Sequence, residues 1–131
     1  FTSPLAATGA AVHAVDGLDW QIRTVERAAR AAMLNRVTAE VRDLAKRALQ
    51  PAQLAAYDAV VFDPPRAGAQ AQAEALAQSN VPIVVAISSK PASFARDARL
   101  LVDGGFHIER IQPVDQFLWS PHLELAAVFR R

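Results

Sequence analysis

The stretch PIVVAISSKPAS, Pro82 to Ser93, decides the fold. Pro82 to Ile87 is the most apolar run of strand-forming residues in the chain and reads as a buried strand. It stops at two hydroxyls and a lysine, Ser88, Ser89 and Lys90, and Pro91 then opens a helix, where a missing N–H does no harm. That helix is expected over Pro91 to Asp103, with Phe94, Ala98, Leu101 and Val102 inside and Gly104-Gly105 as its stop. Ser88 and Ser89 fit two readings, a helix N-cap or part of a reaction centre.

Outward from this stretch, strands and helices alternate. Toward the N-terminus, Ala69 to Gln78 reads as a helix and Ala59 to Phe62 as an apolar strand that ends at Asp63-Pro64-Pro65. Lys46 to Ala56 is rich in Ala and Leu, with Pro51 at a helix start, and Val37 to Val41 is a short strand before Arg42-Asp43. Leu18, Ile22, Val25, Ala29 and Ala32 recur at helical spacing, which predicts an amphipathic helix over Leu18 to Asn35. Ala11 to Val15 alternates as a strand does and ends at Asp16-Gly17, and Phe1 to Ala7 reads as the end of a helix stopped near Gly9. Toward the C-terminus, Phe106 to Ile111 and Leu123 to Phe129 alternate, the second less cleanly. Apolar strands separated by helices predict a parallel sheet covered on both faces. No helix lies between the last two strands, so they are expected to pair antiparallel.

Composition narrows the function classes. Among 131 residues, 52% are hydrophobic and 21% charged, which suits one globular domain rather than a disordered chain. A net charge of +1 provides no global basic field, so any nucleic-acid contact requires a local patch. The absence of cysteine excludes disulfides, thiolate metal sites and thiol catalysis. His13, His107 and His122 are too scattered to suggest a metal site. No apolar run approaches the roughly 20 residues that span a bilayer, and no basic segment precedes an apolar one at the start, so the expected location is the cytoplasm. The chain opens at FTSPLAATGAAV without an initiator Met, and it is expected to be part of a longer polypeptide.

In a doubly wound sheet, ligands bind beyond the carboxyl ends of the strands. Those ends carry Asp16, Asp43, Asp63 and the Ser88-Ser89 pair. Asp16 suits a ribose diol, or simply an Asp-Gly turn. Asp43 suits an exocyclic amine, or a cap. In FDPPRAG, Phe62 to Gly68, two prolines stiffen the exit from the strand and hold Asp63 in a reproducible place. Arg66 and Gly68 offer a cation and a tight turn to a phosphate. In SPHLE, His122 and Glu124 are two apart and are expected on one face, as a general base and its neighbour or as a polar edge pair. Phe117 and Trp119 are apolar rings that could stack on a base, and core packing is the plainer reading of both.

FDPPRAG, then ISSKPASFARD, then PVDQFLWSPHLELAAVF together resemble the catalytic half of the uracil-C5 RNA methyltransferases. The resemblance covers essentially the whole chain. FTSPLA resembles the end of the first cofactor motif, HAVDG the acidic second strand and VTAEVRDL the third. It implies an α/β fold: a Rossmann-like class I methyltransferase sheet, mostly parallel with an antiparallel C-terminal strand, and lacking its first strand. Residues 1–131 are then a single, partial catalytic domain. It also implies S-adenosylmethionine as cofactor and tRNA or rRNA as substrate. In the family a cysteine adds to C6 of uracil, C5 takes the methyl group, and a glutamate removes the C5 proton. By position Asp16 holds the cofactor ribose, Asp43 the adenine side, Asp63 the target base, and Glu124 is the base. With its first strand missing, the sheet is expected to expose two edges and to self-associate through them.

The sequence departs from the family at the nucleophile. Where the family has Ser-Cys-Asn-Pro, this chain has Ser88-Ser89-Lys90-Pro91. A thiol with a pKa of about 8.5 is partly ionised near neutrality. A serine hydroxyl is not, so addition is expected to be slower by several orders of magnitude. Two alternatives follow, an inactive RNA-binding homologue and a methyltransferase acting on base amino groups. The latter usually has an aromatic residue where Arg66 stands.

Overall fold

A computed structural model of the protein describes residues 1–115, 119–120 and 122–131. The chain forms two compact units, Phe1–Arg47 and Ala48–Arg131.

The first unit runs α1 (Thr2–Ala7), β1 (Val12–Asp16), α2 (Asp19–Ala31) and β2 (Val37–Val41). β1 and β2 pair in parallel, with Val12 opposite Val37 and Asp16 opposite Val41. α2 buries Ile22 and Ala29 and stops at Ala31, four residues before its expected end at Asn35. The cause is local. Met33 takes a left-handed φ of 56°, Leu34 N–H donates to the Ala29 carbonyl at 2.8 Å and Met33 N–H donates to the Arg30 carbonyl at 3.1 Å. This pair of bonds closes a helix C-terminus in the Schellman manner, with methionine where glycine is usual. Ala32, expected on the inner face, lies outside the helix and is exposed.

The second unit runs α3 (Pro51–Leu54), β3 (Ala59–Phe62), α4 (Gln70–Ala77), β4 (Ile83–Ser88), α5 (Pro91–Asp103), β5 (His107–Val114) and β6 (Glu124–Arg130). The strand order is β3-β4-β6-β5. β3 and β4 are parallel, and β6 runs antiparallel to both β4 and β5. The expected reversed C-terminal strand is therefore present, and it lies between two strands rather than at an edge. Its alternation is cleaner than the sequence suggests, because Leu125, Ala127 and Phe129 are all buried. They face Ser88, Ala86 and Val84 across the β4 pairing.

The core under this sheet includes Leu54, Leu76, Val81, Val84, Leu101, Phe106 and Phe129. Each large aliphatic or aromatic side chain buried there contributes about 1.5–3 kcal/mol. α5 spans the expected residues, but Val102 is 39% exposed rather than inside. Gly104 ends α5 against α4, where a Cβ would lie 2.5 Å from the Ala77 Cβ. β5 does not bury alternate residues as expected. All eight are exposed, because β5 is an edge strand with β6 as its hydrogen-bonded neighbour. Among the described residues, no helix is long and apolar enough to cross a membrane.

Candidate active site

At the carboxyl end of β1, Asp16 Oδ1 accepts the Leu18 N–H at 2.8 Å, which shapes the entry to α2. The Asp16 carbonyl accepts the Arg42 N–H at 2.8 Å, which brings the end of β2 alongside. Asp43 follows, with Oδ1 on the Ala45 N–H at 3.1 Å and Oδ2 at 3.8 Å from Lys46 Nζ. A Cβ placed on Gly17 would lie 3.8 Å from the Asp43 Cα. The parallel pairing thus gathers Asp16 and Asp43 at one strand end. Each holds its own turn with Oδ1, and the Asp16 Oδ2 is left for a further donor. Two such carboxylates fit a nucleoside cofactor, one for a ribose diol and one for an amine.

In the second unit, Asp63 follows β3 directly and is exposed. Ser88 ends β4 buried, Ser89 is half-buried and Lys90 is exposed. The N-cap reading of the two serines does not hold. Lys90 is the N-cap residue of α5. The Ser88 hydroxyl instead clamps the turn, accepting the Lys90 N–H at 3.2 Å and donating to the Lys90 carbonyl at 3.1 Å. Among the described residues, no hydrogen bond engages the Ser89 hydroxyl.

Glu124 opens β6, as expected. Ser88 pairs with Leu125 in an antiparallel register, so Ser89 and Glu124 each adjoin the last β4–β6 pair, at the same end of the sheet. His122 precedes the strand, and its N–H donates to Ser120 Oγ at 3.2 Å. The alternation argument that joined it to Glu124 therefore does not apply to it. Phe117 lies outside the described residues. Trp119 is 103% exposed with φ 68°, so core packing does not account for it.

The DPPRAG loop is fastened to α5 by three side chains to which the sequence assigned no role. Ser93 Oγ donates to the Arg66 carbonyl at 2.8 Å, and Arg96 Nη2 donates to the Ala67 carbonyl at 2.9 Å. The Ala69 N–H donates to Asp97 Oδ2 at 2.7 Å, and Arg96 Nη2 meets Asp97 Oδ1 at 2.8 Å. Ser93 and Asp97 are buried although polar. Their four-residue spacing inside the apolar face of α5 is the signal that would have found them. Gly68 closes the expected tight turn, its N–H donating to the Pro65 carbonyl at 2.8 Å. It takes φ 83°, and an added Cβ would lie 2.5 Å from Arg96 Nη2 and 2.7 Å from Asp97 Oδ2. Beneath these loops is a cavity of ≈ 10 Å³ lined by Phe62, Pro64, Phe94 and Phe129 among others. It holds no more than about one water.

Residues 15–131 match the model of the family described as tRNA (uracil-5-)-methyltransferase. The chain belongs to this family. It is 49% identical over 121 residues to an uncharacterized RNA methyltransferase of Agrobacterium fabrum, covering 92% of this chain and 29% of that relative. It is 39% identical over 131 residues to the 23S rRNA (uracil(1939)-C(5))-methyltransferase of Chromohalobacter salexigens, covering 100% of this chain and 27% of the relative. The crystal structure of the tRNA (uracil-54, C5)-methyltransferase of Pyrococcus abyssi, in complex with S-adenosyl-L-homocysteine, superposes with a TM-score of 0.82 at 28% identity. That superposition covers 98% of this chain and 30% of the other. The chain thus spans less than a third of the length of these family members. Its fold is the Rossmann-like α/β fold of the methyltransferases, mostly parallel with a reversed C-terminal strand.

Proposed function

We propose that the protein containing this chain transfers methyl groups from S-adenosylmethionine to C5 of uracil in a tRNA or rRNA. One observation carries the reading: within a matched uracil-5-methyltransferase sequence, the loop bearing Asp63 is fastened to the helix that follows Ser89, and Glu124 and Ser89 adjoin the paired residues Leu125 and Ser88 at one end of the sheet. Bound S-adenosylmethionine supplies an electrophilic methyl group. Asp16 holds its ribose and Asp43 its adenine, both parts of the same catalytic domain as the second unit. Asp63 holds the uracil. Ser89 Oγ would add to C6 as its proton passes to solvent, C5 would take the methyl group with release of S-adenosylhomocysteine, Glu124 would remove the C5 proton, and Oγ would then leave C6 and regain a proton. Oxygen in place of sulfur makes this addition slow, since no base hydrogen-bonds to the Ser89 hydroxyl among the described residues. Trp119 offers a ring for stacking on an unpaired base.

The experiment is product analysis. The intact protein is incubated with S-adenosylmethionine and unmodified RNA, and nucleosides are resolved by mass spectrometry. 5-Methyluridine supports the reading. A methylated amino group would replace it with the amino-methyltransferase alternative, and RNA retention without any methylated nucleoside would replace it with the inactive RNA-binding homologue.

A further inference from the structure

The second unit carries seven lysines and arginines, and five of them are engaged. Arg96, Arg99 and Arg130 pair with Asp97, Asp103 and Glu109. Arg110 donates to Gln112, and Arg131 donates to the carbonyls of Gly104, Leu76 and Ala77. Arg66 and Lys90 are the two whose side chains make no hydrogen bond or ion pair among the described residues. Both are exposed.

These two cations are not scattered. Arg66 lies three residues after Asp63, and Lys90 directly follows Ser89. A single hydroxyl joins their backbones: Ser93 Oγ contacts the Arg66 carbonyl at 2.8 Å and the Lys90 carbonyl at 3.2 Å. Ser93 is buried and fixed on α5, so the two loops cannot drift apart independently. α5 has no acidic residue in its first turn to neutralise them. A guanidinium and an ammonium on two exposed loops tied through one serine, with no carboxylate paired to either among the described residues, are complementary to a dianionic or repeating monoanionic ligand.

We propose that Arg66 and Lys90 form a phosphodiester clamp that grips the RNA backbone next to the target nucleotide. The inference rests on the RNA-methyltransferase reading above. It adds that Lys90, the residue standing where the family motif has asparagine, supplies a contact to the RNA backbone. A clamp of this kind fixes the register of the strand and carries no base preference of its own.

Salt dependence tests it. The intact protein is titrated with a short, unstructured, uridine-rich RNA by fluorescence anisotropy at several potassium chloride concentrations, and log Kd is plotted against log salt. Each phosphate neutralised on a single strand contributes about 0.7 to the slope. Arg66→Gln and Lys90→Gln are each expected to lower the slope by about 0.7, and the double variant by about 1.4. Arg99→Gln, which removes an engaged cation on the same helix, leaves the slope at the parent value. The same loss is expected with RNAs of other base composition. Parent slopes in both single variants, with parental circular dichroism, would overturn the clamp while leaving the RNA-methyltransferase reading intact. A parent protein that shows no salt-dependent RNA binding would overturn both.

Discussion

Ser88 on β4 lies opposite Leu125 on β6, and this one pairing brings their neighbours Ser89 and Glu124 to the same end of the sheet. The two polar residues come from positions 35 apart in sequence, yet the antiparallel register brings them to one end of the sheet. The reversed strand thereby returns a carboxylate to the end of the sheet where the parallel strands deliver Asp63 and Ser89.

The first prediction concerns Ser89. Ser89→Cys restores a nucleophile that is partly ionised near neutral pH. Uridine methylation by the intact protein is expected to rise by about two orders of magnitude or more in kcat. Adding Lys90→Asn keeps that kcat but raises the KM for RNA, because a backbone contact is lost. No gain over the parent in a radiolabelled methyl-transfer assay would remove Ser89 from the nucleophile position.

Glu124→Gln removes the proton acceptor and keeps the shape. Methyl transfer is expected to fall by about 10²–10⁴-fold, while the Kd for RNA stays near the parent value. Single-turnover assays alongside anisotropy separate the two effects. A variant with undiminished kcat would exclude Glu124 as the base.

Asp16→Asn tests the cofactor end. The asparagine oxygen still accepts the Leu18 N–H, so the entry to α2 is preserved. What is lost is a charge-assisted bond to a ribose hydroxyl, with a net contribution of about 1.5–3 kcal/mol. Calorimetric titration of S-adenosylmethionine into the intact protein should show affinity lower by about 10- to 150-fold. Unchanged affinity would place the ribose elsewhere.

Gly68→Ala tests the fastening of the DPPRAG loop. Its φ of 83° and the 2.7 Å approach to Asp97 Oδ2 leave no room for a methyl group. The left-handed conformation alone costs an alanine about 1–2 kcal/mol. Urea unfolding is expected to show a loss of at least that size, with an unchanged m-value. Hydrogen exchange at the Ala69 amide, bonded to Asp97 in the parent, should accelerate. Exchange at the parental rate would mean that the loop is held by something other than α5.

Met33→Gly acts in the opposite direction. Methionine there is 82% exposed and left-handed, so the side chain contributes little burial and carries the strain. Glycine is expected to stabilise the protein by about 0.5–1 kcal/mol, read as a higher urea midpoint. A lower midpoint would show that the methionine packs in solution.

Taken by itself, the sequence determined where the strands and helices lie, in what order, and which residues stand at the strand ends. β2, β3 and α5 occupy their expected residues, and β6 reverses as the missing crossover helix requires. These features are local: apolar runs, helical spacing, and Pro and Gly at the boundaries all act within a few residues. Helix α2 ended early because its stop is a methionine rather than the expected glycine or asparagine, a choice that leaves no compositional mark. Tertiary structure alone decided that β6 enters between β4 and β5, that β5 is left exposed, and that Glu124 comes to the end of the sheet where Ser89 follows β4. It also decided that Ser93 and Asp97 on α5 hold the loop after β3, across separations of 27 and 28 residues. The physical reason is that a buried serine or aspartate satisfies its hydrogen bonds with whichever backbone the fold brings near, and nothing in the neighbouring sequence names that partner.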